Sequence, residues 1–339
     1  MAPAFRVTLG TRASRVGLPV AALLLLGLVA APWWADAKTM RTVVEFAYYL
    51  ALAQMWNLLA GYAGLVSVGQ QAYVGLGGYA LFLLANQLGV PPLLAVPLAG
   101  LVAGIVALPT ALVVFRLRGA YFAIGTWVVA EVYRLLFAQA SALGGGSGQS
   151  LPADIVRSIA ADRGARDRLI YWLGLAIAVA AVVLVYVLLR SRHGLALAAI
   201  RDSETAAQSV GIDSFRAKLA VYVLAAGGTG IAGGLIFLQK LRISPDAAFS
   251  VLDWTANVIF IVVIGGIGTI EGPIVGTVIF FLLRELLAGF GSWYLIILGS
   301  VAVITMLVAP QGIWGLVGGR WGLHLLPLRR RLNMEGVEP

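Results

Sequence analysis

Residues 169–189 read LIYWLGLAIAVAAVVLVYVLL, an apolar run held between Arg168 and Arg190. About 20 such residues, at the helical rise per residue, match the thickness of a bilayer core. Working outward in both directions, comparable blocks fall at 17–35, 41–60, 71–88, 92–115, 119–140, 217–239, 252–268, 272–289 and 293–310. Together they predict an all-α integral membrane protein of about ten transmembrane helices.

The composition agrees. Of the 339 residues, 60% are hydrophobic and 12% charged, with mean hydropathy +0.94, against roughly 25% charged in a soluble domain. The net charge of +9 sits in short connectors rather than along one face, which argues for membrane orientation and against nucleic-acid binding. The absence of cysteine excludes disulfides and thiolate chemistry. His193 and His324 lie in separate Arg-bearing connectors and read as solvated loop residues, so no metal site is expected.

Arg6, Arg12 and Arg15 before the run Leu18–Ala31 imitate a secretory signal; the pattern is read instead as an uncleaved first helix with a basic cytoplasmic flank. Alternating the loops from a cytoplasmic start puts 61–70, 116–118, 190–216, 269–271 and the tail from 311 onward inside. The cations vote the same way. Arg190, Arg192, Arg201 and Arg216 mark the inner loop, and Arg320, Arg329, Arg330 and Arg331 the tail. Opposite them, Arg157, Arg163, Arg166 and Arg168 share one long loop with Asp154, Asp162 and Asp167. The expected organisation is a cytoplasmic segment 1–16, a transmembrane domain 17–310 with an outer loop 141–168, and a cytoplasmic tail 311–339.

The inner loop 190–216 predicts two short helices, Leu195 to Arg201 and a second capped by Asp202, opened by Glu204 and ended by Gly211. Residues 196, 199, 200, 203, 207 and 210 would form a narrow stripe of small side chains, a docking surface for a cytoplasmic partner. An amphipathic connector lying on the protein's own helices or on lipid headgroups is the competing reading.

Two glycine clusters stand out: Gly61, Gly64, Gly69, Gly75, Gly77 and Gly78, then Gly265, Gly266, Gly268, Gly272 and Gly276. Small residues permit close helix packing or a helix break, and broken helices often build solute sites. Gly61, Gly64, Gly69, Gly265, Gly266 and Gly268 are the expected breaks. Among ionisable groups in the blocks, Glu131 and Arg134 are i,i+3 neighbours, and Arg284 beside Glu285 lies toward an interface; both read as paired or snorkelling. No chain of carboxylates crosses the bilayer as a proton relay would. Gly145-Gly146-Ser147-Gly148 imitates an intramembrane-protease turn, but no histidine base falls on its side of the membrane. Gly-x4-Gly-Lys-Ser/Thr is missing, so this chain has no such phosphate cradle. No enzyme activity and no bound cofactor are expected.

The ordered motifs Asn57-Leu58-Leu59-Ala60-Gly61-Tyr62-Ala63-Gly64-Leu65-Val66-Ser67-Val68-Gly69-Gln70, Gly75-Leu76-Gly77-Gly78-Tyr79, Leu117-Arg118-Gly119-Ala120-Tyr121-Phe122-Ala123, Ala199-Ile200-Arg201-Asp202-Ser203-Glu204 through Gly211, and Val262-Val263-Ile264-Gly265-Gly266-Ile267-Gly268 resemble the branched-chain amino-acid ABC permease family, LivM-like in type. The resemblance implies a type II-like importer of the bacterial inner membrane. In it a homologous LivH-like permease completes the pathway, two cytoplasmic subunits hydrolyse ATP, and a periplasmic binding protein delivers solute. It further implies that Ala199, Arg201, Asp202, Glu204 and Gly211 contact the ATPase, and that Ser67, Gln70, Gln71 and Tyr73, with Asn57 at the head of the motif, border the pathway. Gln70 stands where the family often has histidine, and Gly144-Gly145-Gly146 where Thr-Gly-Gly is usual. The cargo therefore stays open between branched-chain or other amino acids and the urea, short amides or aromatic acids of similar permeases. A self-contained secondary transporter is the alternative of another class.

Overall fold

In a computed structural model, the described residues are 5–8, 12–160, 162–291, 293–309, 311–321 and 331–334; His324, Arg329 and Arg330 lie outside them. The chain runs β1 (Phe5–Thr8), α1 (Arg12–Ala30), α2 (Ala37–Asn57), α3 (Gln70–Asn86), α4 (Pro92–Val114), α5 (Ala120–Gln139), β2 (Gln149–Ser150), α6 (Ala153–Ile159) and α7 (Arg163–Arg190). It continues α8 (Arg192–Asp202), α9 (Glu204–Ser209), α10 (Ser214–Lys240), β3 (Arg242–Ile243), α11 (Pro245–Ala248), α12 (Asn257–Gly265), α13 (Glu271–Leu287), α14 (Trp293–Val308), α15 (Gly312–Trp321) and β4 (Arg331–Met334). Two π-helical turns, Leu58–Tyr62 at the end of α2 and Leu252–Ala256 before α12, interrupt the regular helices.

Each of the ten apolar blocks lies on helix, but the blocks are not equivalent. Among the described residues, six stretches are long and apolar enough to cross a membrane: α4, α5, α7, α10, Pro245–Gly265 and Trp293–Leu316. Helices α2 and α3 are short or polar, carrying Gln54, Asn57, Gln70 and Gln71, and they are buried behind the others. A helix shielded from lipid need not be uniformly apolar.

Helix α10 runs through the centre, packed on α2, α3 and α4. Its glycines set the spacing. A Cβ on Gly77 of α3 would stand 2.0 Å from the carbonyl oxygen of Gly230, so the two backbones touch there and only glycine fits.

The glycine-rich start of the outer loop forms defined turns. Short 3-10 turns span Ser141–Leu143 and Gly145–Ser147, with Gly144, Gly145 and Gly148 at positive φ supplying the left-handed positions. The strand that follows is pinned by antiparallel pairing, Gln149 with Ile243 and Ser150 with Arg242. Helix α7 begins at Arg163, capped by the Asp162 carboxylate accepting from the Ala165 amide at 3.0 Å, so its first turns lie in the stretch read as loop. Near the termini β1 pairs antiparallel with β4, Phe5 opposite Met334 and Thr8 opposite Arg331.

Candidate functional site

The two glycine clusters, about 200 residues apart in sequence by chain numbering, meet in space. After the π turn at Leu58–Tyr62 the chain leaves helical geometry until Gln70, and a second irregular stretch separates Gly265 from Glu271. The fully buried Asn57 clamps them. Its Nδ2 donates to the Thr269 carbonyl and its Oδ1 accepts from the Gly268 amide, both at 2.8 Å. One turn earlier, Gln54 Nε2 donates to the Ile270 carbonyl at 2.8 Å. These bonds satisfy backbone groups that a helix break leaves open, which is how irregular backbone is tolerated where it packs against protein in a membrane bundle. Contact at the crossing is tight: a Cβ on Gly61 would lie 2.6 Å from the Gly268 nitrogen, and Gly268 itself has φ +75°.

The loop 190–216 is tied to this junction. Arg201 Nη1 donates to the Gly61 carbonyl at 3.1 Å. Helix α8 is longer than expected, starting at Arg192 with the Ser191 hydroxyl accepting from the His193 amide. The cap of α9 is Ser203, not Asp202: Ser203 takes the extended conformation (φ −159°, ψ 110°) and its hydroxyl accepts from the Ala206 amide at 3.3 Å, while Asp202 is still helical. Gly211 closes the pair at φ +87°. The inward face consists of Gly194, Leu197, Ile200 and Ala207. Of the anticipated stripe, Ile200 and Ala207 therefore pack on the protein itself, Ala196 and Ala199 are half-buried, and Ser203 and Val210 are exposed. Asp202 is exposed beside Arg201 at 3.5 Å, and Glu204 bridges to Lys218 of α10 at 2.8 Å.

The residues assigned to a pathway are buried, and their polar atoms bond within the chain except Gln70 Oε1, which is buried without a hydrogen-bond partner. Gln70 Nε2 donates to the Leu52 carbonyl (2.8 Å) and approaches Thr229 Oγ1 (3.3 Å). Gln71 is held by Thr255, which accepts from its amide at 3.2 Å and donates to its Oε1. Tyr73 donates to the Tyr222 hydroxyl at 2.8 Å. The Ser67 carbonyl accepts from Trp56 Nε1 at 2.8 Å and its hydroxyl from the Gly69 amide at 3.2 Å. Beside the break, the Val68 amide donates to Thr126 Oγ1 at 3.1 Å. Near the loop, a cavity of about 590 Å³ opens between Gly64, Leu65, Phe122, Phe215, Glu204 and Lys218.

At the other end of α2 lies a polar cavity that no motif in the sequence marks. It is about 300 Å³ and lined by Glu45, Tyr48, Tyr49, Lys240, Asp253, Trp254, Asn257, Phe280, Arg284 and Tyr294. Arg284 pairs here with Glu45 at 2.9 Å, across from α13 to α2, rather than with its neighbour Glu285; adjacent residues on a helix point apart. Glu131 and Arg134 do pair, at 2.6 Å, and Arg134 adds Asp246 at 2.7 Å. Among the described residues no group of three or more His, Asp or Glu side chains is disposed to hold a metal ion.

Buried amides that stitch two broken helices together, inside a bundle with several membrane-length apolar helices, are the construction of a multi-pass permease. The chain belongs to the family described as branched-chain amino acid transport system / permease component, whose model matches residues 39–309; that family transports and does not catalyse. It is 29% identical over 314 residues, covering 86% of this chain and 73% of the relative, to the high-affinity branched-chain amino acid transport system permease protein LivM of Escherichia coli (strain K12). The protein of the same name from Salmonella typhimurium is 28% identical with the same coverage. A partial match, 28% identical over 38% of this chain and 43% of the relative, is to the probable branched-chain amino acid transport permease protein LivH of Methanocaldococcus jannaschii. No solved structure matches.

Proposed function

We propose that this chain is one membrane-spanning subunit of an ATP-driven importer for amino acids, branched-chain ones foremost, in a bacterial inner membrane. It crosses the membrane ten times in a type II-like arrangement, with both ends in the cytoplasm. A homologous LivH-like permease completes the pathway, two cytoplasmic ATPases act on the loop 190–216, and a periplasmic binding protein presents the solute. The observation that carries the reading is the hydrogen bond from Arg201 to the Gly61 carbonyl: the loop grips the point where both broken helices meet. Pairing of β1 with β4 supports the shared side of the termini, and the names of the relatives support the cargo.

In this cycle closure of the ATPases pushes on Ala199, Asp202, Glu204 and Gly211, and Arg201 transmits the displacement to Gly61. The irregular stretches around Gly64, Gly69, Gly265, Gly266 and Gly268 are the moving parts, and Asn57, Ser67, Gln70, Gln71 and Tyr73 belong to the wall that moves with them. Access alternates by shifting between two arrangements of this wall.

The test is reconstitution of the complete importer in proteoliposomes, with ATP hydrolysis and uptake of radiolabelled L-leucine measured together. Arg201→Gln is expected to keep solute-stimulated hydrolysis while cutting uptake per ATP at least about tenfold, a coupling change of ordinary size. Reversal of Asp202 and Glu204 to lysine is expected to abolish the stimulation. Unaltered stimulation in that double variant, or leucine transport by the purified single chain without ATP, sinks the reading.

A further inference from the structure

The cavity beside Glu45 holds two ionised side chains with no ion-pair partner among the described residues: Lys240 at the end of α10 and Asp253 in the second π turn. Lys240 Nζ instead lies over the Trp254 ring at 4.8 Å and near Phe237 at 5.7 Å. The other two ionised groups here, Glu45 and Arg284, are spent on each other.

We propose that this cavity is a binding site for an amino acid in its zwitterionic form, the carboxylate taken by Lys240, the ammonium by Asp253, and an apolar side chain lying against Tyr49 and Phe280.

Four observations converge. An ionisable pair at the end of membrane helices is costly unless it is used, and here both signs line one cavity with no salt bridge closed between them. The backbone under Asp253 is a π turn, a distortion that clusters at functional sites because it costs regular hydrogen bonding. That turn is anchored from behind, Trp254 Nε1 donating to the Ala247 carbonyl at 2.7 Å and Thr255 holding Gln71; this fixes Asp253 in place. Finally, the cavity shares Glu45, Tyr48 and Lys240 with a larger one of about 570 Å³. Lys38, Arg41, Arg163 and Arg166 line that vestibule, with Asp167 already bridged to Arg41 at 3.1 Å. Its excess of positive charge draws in a carboxylate before the smaller cavity selects for the ammonium. Urea or a simple amide gains nothing from either charge, so the site favours amino acids among the cargoes open to the family.

The inference rests on the importer reading but is tested apart from it. The native complex, purified with its own permease and ATPase subunits and without binding protein or ATP, is titrated with radiolabelled L-leucine. Leucinamide, which lacks the carboxylate, and 4-methylpentanoate, which lacks the ammonium, serve as competitors. Lys240→Gln is expected to weaken leucine at least about tenfold and to abolish competition by 4-methylpentanoate, since a charge-assisted contact is lost. Asp253→Asn is expected to weaken leucine comparably and to abolish competition by leucinamide. Lys240→Arg keeps the cation and should retain binding, and an unchanged melting midpoint in each variant shows that the fold is intact. Leucine affinity unchanged in both neutral variants, or no saturable leucine binding to the native complex, overturns the site whatever the uptake assay gives. If the binding pattern holds while ATP-driven uptake is absent, the site stands and the importer reading fails.

Discussion

Asn57→Ala isolates the junction between the two broken helices. The side chain is fully buried and makes two hydrogen bonds, one donated to the Thr269 carbonyl and one accepted from the Gly268 amide, each 2.8 Å long. Alanine removes both and leaves the Gly268 donor and the Thr269 acceptor without their side-chain partner at a part-buried crossing. Measured interhelical bonds in membranes average only ~0.6 kcal/mol, because the unfolded reference also finds partners. An orphaned buried group, however, costs ~1–3 kcal/mol, so the expected destabilisation is ~2–4 kcal/mol. At ~2 °C per kcal/mol for a chain of this size or somewhat smaller, the melting midpoint should fall by roughly 4–8 °C. The damage should also be local. Hydrogen exchange read by mass spectrometry should accelerate in the peptide covering 266–270 and in that covering 58–64, while α4 and α10 stay protected. Asn57→Asp keeps the acceptor for Gly268 and should protect that amide better than alanine does. A melting shift under about 1 °C together with unchanged exchange at 266–270 would refute the role of Asn57 as the clamp, since by the same reasoning even one orphaned group costs about 2 °C.

Gly77→Val forces a side chain into the 2.0 Å gap before the Gly230 carbonyl oxygen and should cost more than the ~1–3 kcal/mol of ordinary overpacking, seen as loss of the monodisperse gel-filtration peak. Gly27→Ala, where an added Cβ meets nothing within 4 Å, should leave that peak intact and raise stability by up to ~1 kcal/mol through helix propensity. Lys218→Gln breaks only the partly exposed bridge to Glu204, so a melting change within about 1 °C is expected for an ion pair of ~0–1 kcal/mol. A large loss of ATPase stimulation in that variant would show that the bridge, rather than the freely exposed Asp202, sets the loop.

The apolar blocks were legible because hydrocarbon imposes one simple demand, and every block lies on helix. What they could not convey was rank. Helix α2 carries Gln54 and Asn57 because its neighbours screen it from lipid, and screening is a property of the packed bundle. The chain is irregular at 63–69 and 266–270, beside both glycine clusters, but their meeting at Asn57 joins positions far apart in the chain. The cap of α9 turned on a choice between adjacent residues, Asp202 and Ser203, both competent caps; the extended backbone at Ser203 decides it. Pairing of Gln149–Ser150 with Arg242–Ile243 is long-range backbone hydrogen bonding that leaves no side-chain signature. Lys240 and Asp253 sit at the ends of separate apolar blocks, where a lone charge reads as an interface marker, and only the fold puts them in one cavity.

The same two helices serve both ends of the molecule. Helix α2 carries Glu45 and Tyr49 at the polar cavity and Asn57 and Gly61 at the junction, a separation along its axis of about 24 Å from Glu45 to Gly61. Helix α12 begins at the π turn that bears Asp253 and ends at Gly265, where the second break starts. Each has one π turn, α2 at the junction end and α12 at the cavity end. A regular helix transmits a push along its length, whereas a π turn holds a surplus residue that a small rearrangement can take up. In the proposed cycle a solute drawing Asp253 and Lys240 together strains the turn at the head of α12, and a loop moving Arg201 strains the turn at the foot of α2. Asn57 bonds α2 to the backbone immediately beyond α12, so one path of helix and hydrogen bond runs from one turn to the other. Coupling of this kind needs an element with two discrete arrangements that both sites bias; in the proposed cycle the pair of π turns joined through Asn57 takes that part.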